Sequence, residues 1–163
     1  MSTNVRPVPE GYHSVMPFIT CKGADRAIDF YKRVFGATVL VKMDGPGGMI
    51  MHAELQIGDS RIFLGDEFPG MSTAPNPQSP ANAHGYGIFV YTEDVDSLMQ
   101  RAIDAGSRVD MPLQNMFWGD RYGKFTDPFG HNWGVATHVE DVAPEEMQRR
   151  TEAMSKQMAK AAG

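Results

Sequence analysis

One order of elements is written twice along this chain, and that repetition restricts the fold more than any other feature. "YHSVMPFITCKG" (12–23) is rich in β-branched and aromatic residues and ends at a glycine, as strands do. "ADRAIDFYKRVFG" (24–36) then sets Ala27, Ile28, Tyr31, Val34 and Phe35 at helical spacing and stops at Gly36. "ATVLVKMD" reads as a strand closed by the "GPGG" hairpin. "MIMHAELQIG" and "SRIFLGDE" read as two more, joined by a Gly58-Asp59 turn. The order returns with "YGIFVYTED" (86–94) as a strand. "VDSLMQRAIDAG" (95–106) follows as a helix, with Asp94 or Asp96 as its cap and Gly106 as its stop. "SRVDMPLQ", "DRYGKFTD" and "HNWGVATH" are strands, the last two flanking an Asp-Pro-Phe-Gly turn. Met16 and Ile88 are expected to begin equivalent strand interiors, and Gly36 and Gly106 to end equivalent helices, at an offset of about 70 residues.

The chain therefore divides into a β-α-β-β-β module with an N-terminal extension (1–67), a linker (68–85), a second module (86–142) and a tail (143–163). The linker is rich in proline and small polar residues. Pro144, Glu145 and Glu146 suit the first turn of a helical tail, where Met147, Met154 and Met158 form one stripe. Such a stripe is expected to pack on the body or on a second subunit, the alternative being a regulatory peptide-binding face. Fifteen basic against 20 acidic residues, with no run of Lys or Arg, argues against nucleic acid. The single cysteine, Cys21, excludes an intrachain disulfide and a Cys-rich metal site. Without a leader-like N-terminus or an apolar run near the roughly 20 residues of a membrane span, a cytoplasmic protein is expected.

Two modules of this order, with "AIDFYKRVFGA" in the first and "DPFGHNW" in the second, resemble the vicinal oxygen chelate superfamily. That group includes glyoxalase I, extradiol dioxygenases, fosfomycin-resistance enzymes and bleomycin-resistance proteins. "MHAELQIGDSRIFLGDE", "YTEDVD" and "FWGDRYGKFTDPFGHNW" are similar to its PhnB-like branch. The resemblance covers roughly 12–142 and implies an α+β fold, two tandem modules forming a cupped mixed sheet around a cavity, commonly within a homodimer. Metalloenzymes of the superfamily take His, Gln or Glu ligands from the first and last strands of each module. Carried onto this sequence, those slots fall on Met16, Ile88, Gly134 and either Phe63 or Leu64. None of these offers a good donor to a divalent cation, so the resemblance implies no metal at the usual positions and no glyoxalase or dioxygenase chemistry there. No metal or other cofactor is expected.

Two groups of polar residues remain. His52 and Glu54 stand two apart on a strand and share a face. As a pair they could act as base and orienting group, hold a displaced metal, or simply bond each other on a solvated face. In "MFWGDRYGK" an extended strand sets Trp118, Asp120, Tyr122 and Lys124 on one face with Arg121 opposite, a wall suited to a planar or polar small molecule. The expected function is a bleomycin-resistance-like protein that binds a small organic molecule there. The alternatives are a lyase, isomerase or oxygenase-type enzyme built on His52 and Glu54, and a dimeric interaction protein. His131, His13, His84 and His138 read as turn, edge, linker and strand-end residues, and Cys21 as structural.

Overall fold

The computed structural model describes residues 10–13, 16–68, 76–78 and 87–161; the side chains of 152 and 154–161 are outside it. Most of the proline-rich linker, His84, and the side chains of Met154 and Met158 thus lie outside the described residues. The chain divides into two units, 1–85 and 86–163, each with its own four-stranded mixed sheet. No helix among the described residues is long and apolar enough to cross a membrane.

In the first unit, β1 (Phe18–Cys21) leads into α1 (Ala24–Phe35), then β2 (Thr38–Asp44), β3 (Ile50–Ile57) and β4 (Ser60–Asp66), in the sheet order β1-β4-β3-β2. β1 runs parallel to β4, and the others are antiparallel. The strand expected from residue 12 begins only at Phe18, because Pro17 has no N–H for a ladder; its carbonyl instead accepts the Phe63 N–H at 2.8 Å. Ala27, Ile28, Tyr31 and Val34 are buried on one side of α1 as their spacing predicts, with Phe30 beside them. Gly36 ends the helix at φ 66, a conformation that glycine adopts without a Cβ clash. The helix N-terminus is capped from a distance. Asp66, at the end of β4, accepts the N–H groups of Gly23 at 2.8 Å and Ala24 at 3.0 Å through Oδ1, and that of Ile50 at 2.8 Å through Oδ2.

The second unit repeats the plan with β5 (Ile88–Tyr91), α2 (Val95–Asp104), β6 (Arg108–Asn115), β7 (Asp120–Thr126) and β8 (Asn132–His138), in the order β5-β8-β7-β6. Asp94 is the cap, accepting the Ser97 N–H at 3.0 Å. A final helix, α3 (Pro144–Ala161), is tied to the unit by Arg150, which donates to the Phe117 carbonyl at 3.0 Å and pairs with Glu140 at 2.7 Å.

The Asp-Pro-Phe-Gly turn between β7 and β8 is built on a buried carboxylate. Asp127 Oδ1 accepts the N–H groups of Phe129 and His131, both at 2.9 Å, and Oδ2 accepts Trp133 Nε1–H at 2.9 Å. Trp133 and His131 are each only 1% exposed. Removing the carboxylate leaves three buried donors without this acceptor, and each such loss is costly. Asp127→Ala is expected to lower stability by about 2–4 kcal/mol in urea unfolding followed by tryptophan fluorescence.

Candidate ligand-binding site

Alternation along the strands assigns each side chain either to the face under the helix or to the face opposite. In the first unit Ile19, Ala53, Leu55, Ile62 and Leu64 are buried on the helix side, leaving Phe18, His52, Glu54 and Phe63 on the other. In the second, Gly123 backs onto α2: a Cβ there would lie 2.9 Å from Met99 Cε. Tyr122 and Lys124 therefore point away from α2, together with Phe89 and Gly134. Phe18 is the direct partner of Phe63, and Phe89 of Gly134. Leu64 belongs to the helix side, so Phe63 is the counterpart of Gly134.

Met16 precedes β1, and Ile88 pairs with Trp133 and shares its face. The first-strand residues directly beside Phe63 and Gly134 are Phe18 and Phe89. These four positions hold three rings and one hydrogen atom. Among the described residues, no three His, Cys, Asp or Glu side chains stand close enough together to hold a metal ion.

A cavity of about 430 Å³ lies in the second unit, lined by Phe89, Asp110, Tyr122, Lys124, Asn132 and Gly134, with Gly87, Ile88, Phe125 and Trp133 completing the wall. The Phe89 and Tyr122 rings stack at 5.5 Å between centroids and 10° between planes. Their approach depends on glycine: a Cβ on Gly134 would come within 3.1 Å of Phe89 Cδ2 and of Tyr122 Cε2 and Oη. At the polar end, Asp110 accepts Arg108 Nε–H at 2.9 Å and the Thr126 hydroxyl at 2.5 Å. Burial pushes the Asp110 carboxyl up, but these two donors, with the nearby charges of Arg108 and Lys124, outweigh it and hold it below the usual carboxylate range. Lys124 makes no ion pair among the described residues.

Of the residues read from the sequence as one wall, Tyr122 and Lys124 line the cavity, whereas Trp118 and Asp120 do not. Arg121 turns to the helix side and pairs with Asp96 at 2.5 Å. Trp118 stands edge-on to Tyr122 at 5.8 Å. Asp120 is 3% exposed and organises its neighbours. Its Oδ2 accepts the Tyr91 hydroxyl at 2.9 Å and Trp118 Nε1–H at 3.0 Å, and its Oδ1 lies 2.8 Å from His138 Nδ1. His138 Nε2 reaches Asp141 at 2.9 Å. Phe89, Asp110, Tyr91 and His138 had no distinguishing sequence signal, because the partners that place them, Gly134, Thr126 and Asp120, lie on other strands.

The His52–Glu54 pair also forms. His52 Nε2 lies 3.2 Å from Glu54 Oε1, and Glu54 Oε2 accepts the Tyr12 hydroxyl at 2.5 Å. Phe18 and Phe63 flank the imidazole at 6.1 and 5.1 Å, and the Arg61 guanidinium sits 4.3 Å above the Tyr12 ring. The bond to Glu54 raises the Tyr12 hydroxyl above its ordinary value, keeping it a donor. His13 is exposed and Cys21 buried.

Asp120 and Asp141 hold the His138 imidazolium above its ordinary value of 6.5. The stability this contributes is fully present below 6.5 and is lost as pH rises through the higher folded value. Asp120 moves the other way. Burial raises its carboxyl, but His138, Tyr91 and Trp118 together bring it below 3.8, so its contribution is lost only as pH falls through that lower value. The thermal midpoint is therefore expected to decline as pH rises past 6.5, and His138→Gln to flatten that limb and, by removing one of the groups that lower Asp120, to shrink the acid limb as well. Scanning calorimetry across the range checks both.

Residues 11–135 match the family model described as Glyoxalase/Bleomycin resistance protein/Dioxygenase superfamily. An uncharacterised protein of Mycobacterium tuberculosis is 36% identical over 150 residues, spanning 91% of this chain and 84% of that protein. TnmS3, an antibiotic binding protein from Streptomyces sp. CB03234, is 26% identical with a TM-score of 0.57, over 78% of this chain and 97% of its own. TioX from Micromonospora sp. ML1 shares the fold with a TM-score of 0.59 at 24% identity, over 80% and 100% of the two chains. This chain belongs to the glyoxalase/bleomycin resistance protein/dioxygenase superfamily.

Proposed function

We propose that this protein binds a small organic molecule in the cavity of its second unit, and holds it there without using a metal at the superfamily's usual positions. The observation that carries this reading is the Phe89–Tyr122 stack drawn together over Gly134. An aromatic surface stands at the position where the superfamily's resemblance would put a last-strand ligand, in a cavity that also takes in Asp110, Lys124 and Asn132. The likeness to TnmS3, an antibiotic binding protein, supports the same reading. A bound molecule would stabilise the fold by mass action. A panel of aromatic antibiotics, screened by thermal shift, is expected to contain at least one compound that raises the midpoint in proportion to its concentration. Tyr122→Ala should weaken that compound about two- to tenfold, the share of one aromatic contact. If no compound shifts the midpoint, or if Tyr122→Ala binds as well as the parent, this assignment fails.

Acid–base catalysis at His52 and Glu54 is the second reading, and one contact favours it. With Tyr12 holding one Glu54 oxygen, the other is positioned to accept Nε2–H of a neutral His52, leaving the Nδ1 lone pair to take a proton. The probe 5-nitrobenzisoxazole opens when a base removes its ring C–H and the electron pair breaks the N–O bond. Its elimination should be about a hundredfold faster with the parent protein than with His52→Gln or Glu54→Gln, the usual contribution of a positioned base. Equal rates in correctly folded variants would remove the pair from catalysis.

A further inference from the structure

We infer that the molecule held in this cavity is a planar aromatic acid, its ring against Phe89 and Tyr122 and its anionic oxygen on Lys124. This rests on the binding reading above and adds the chemical class of the ligand.

Two charged side chains face the cavity, and they are in opposite states. Asp110 is already satisfied: Arg108 donates to one oxygen at 2.9 Å and the Thr126 hydroxyl to the other at 2.5 Å. Arg108 also reaches the Thr126 hydroxyl oxygen at 3.2 Å, closing a three-membered cluster. A cationic ligand would have to compete with a guanidinium for that carboxylate. Lys124 lines the same cavity and makes no ion pair among the described residues, its charge acting on Asp110 only from a distance. With Arg108 and Lys124 set against the one carboxylate of Asp110, the net charge at the site is positive.

The chain's net charge of −5 would by itself favour a cation. That field is spread over the whole surface and screened within about 8–10 Å at ordinary salt, so the group in contact decides. Lysine is a compact charge on a flexible stem and suits a carboxylate or phenolate oxygen whose ring is already fixed by stacking. Because Lys124 is exposed, its contribution is salt-sensitive.

Three probes of one shape test this by isothermal titration: 2-naphthoate, the neutral 2-naphthamide and cationic 2-naphthylmethylammonium. The naphthoate should bind about tenfold more tightly than the amide at low ionic strength, a difference within the range of one charge-assisted hydrogen bond. Added salt should narrow the gap. Lys124→Met should erase the preference, so that naphthoate and amide bind the variant equally, and Lys124→Arg should restore most of it. Equal affinities for naphthoate and amide would overturn the inference and leave the cavity reading intact. So would tightest binding of the ammonium, which would give the site to Asp110. If none of the three binds, the cavity reading fails and the inference falls with it.

Discussion

A buried carboxylate at the β7–β8 turn, taking one hydrogen from a tryptophan ring and two from its own backbone, is the contact on which the second unit depends. With Trp133 anchored to Asp127, β8 can leave the turn in only one register. Gly134 then stands beside Phe89 on one strand and Lys124 on the other. Side chains alternate with a period of two, so a slip of β8 by one residue would put Trp133 or Val135, in place of Gly134, between Phe89 and Lys124. The first unit achieves the same control differently. Asp66 joins the start of α1 to the start of β3, fixing helix and sheet together through one side chain.

The element order and both helices were legible in the sequence because their signals are local: apolar spacing, glycine stops and turn residues within a few positions of each other. The face shared by His52 and Glu54, and the opposition of Tyr122 and Arg121, followed from strand geometry alone. The start of β1 was misplaced because the apolar run is continuous across Pro17, and only the ladder shows where hydrogen bonding begins. The ladder also decides which first-strand residues stand beside Phe63 and Gly134, and these are Phe18 and Phe89. The remaining members of the site come from distant strands: Tyr12 meets Glu54 across 42 positions, and Tyr91 meets Asp120 across 29. Such contacts have no local trace. Trp118 and Asp120 look like pocket residues in the sequence because they are aromatic and acidic on the right face. Their roles are set by Asp120 being already occupied by three donors.

The two units show how far one surface can diverge on a retained frame. Glu54 pairs with Phe63 as Lys124 pairs with Gly134, and His52 precedes Glu54 by the same step as Tyr122 precedes Lys124. At matching places one sheet therefore presents an imidazole and a carboxylate, and the other a phenol and an amine. The helix sides have kept their apolar character in both units, with Leu64, Ala53 and Ile19 in the first and Trp133, Phe125 and Val135 in the second, all at 1% exposure or less. Packing constrains one face of each sheet and leaves the other free to acquire different chemistry.

The missing side chain at position 134 couples two choices that look independent in the sequence. Any side chain there would press on Phe89 and Tyr122 from 3.1 Å, so the rings must yield before the position can carry a larger residue. A substitution at 134 is therefore also a change in the aromatic surface, and the two cannot be varied one at a time.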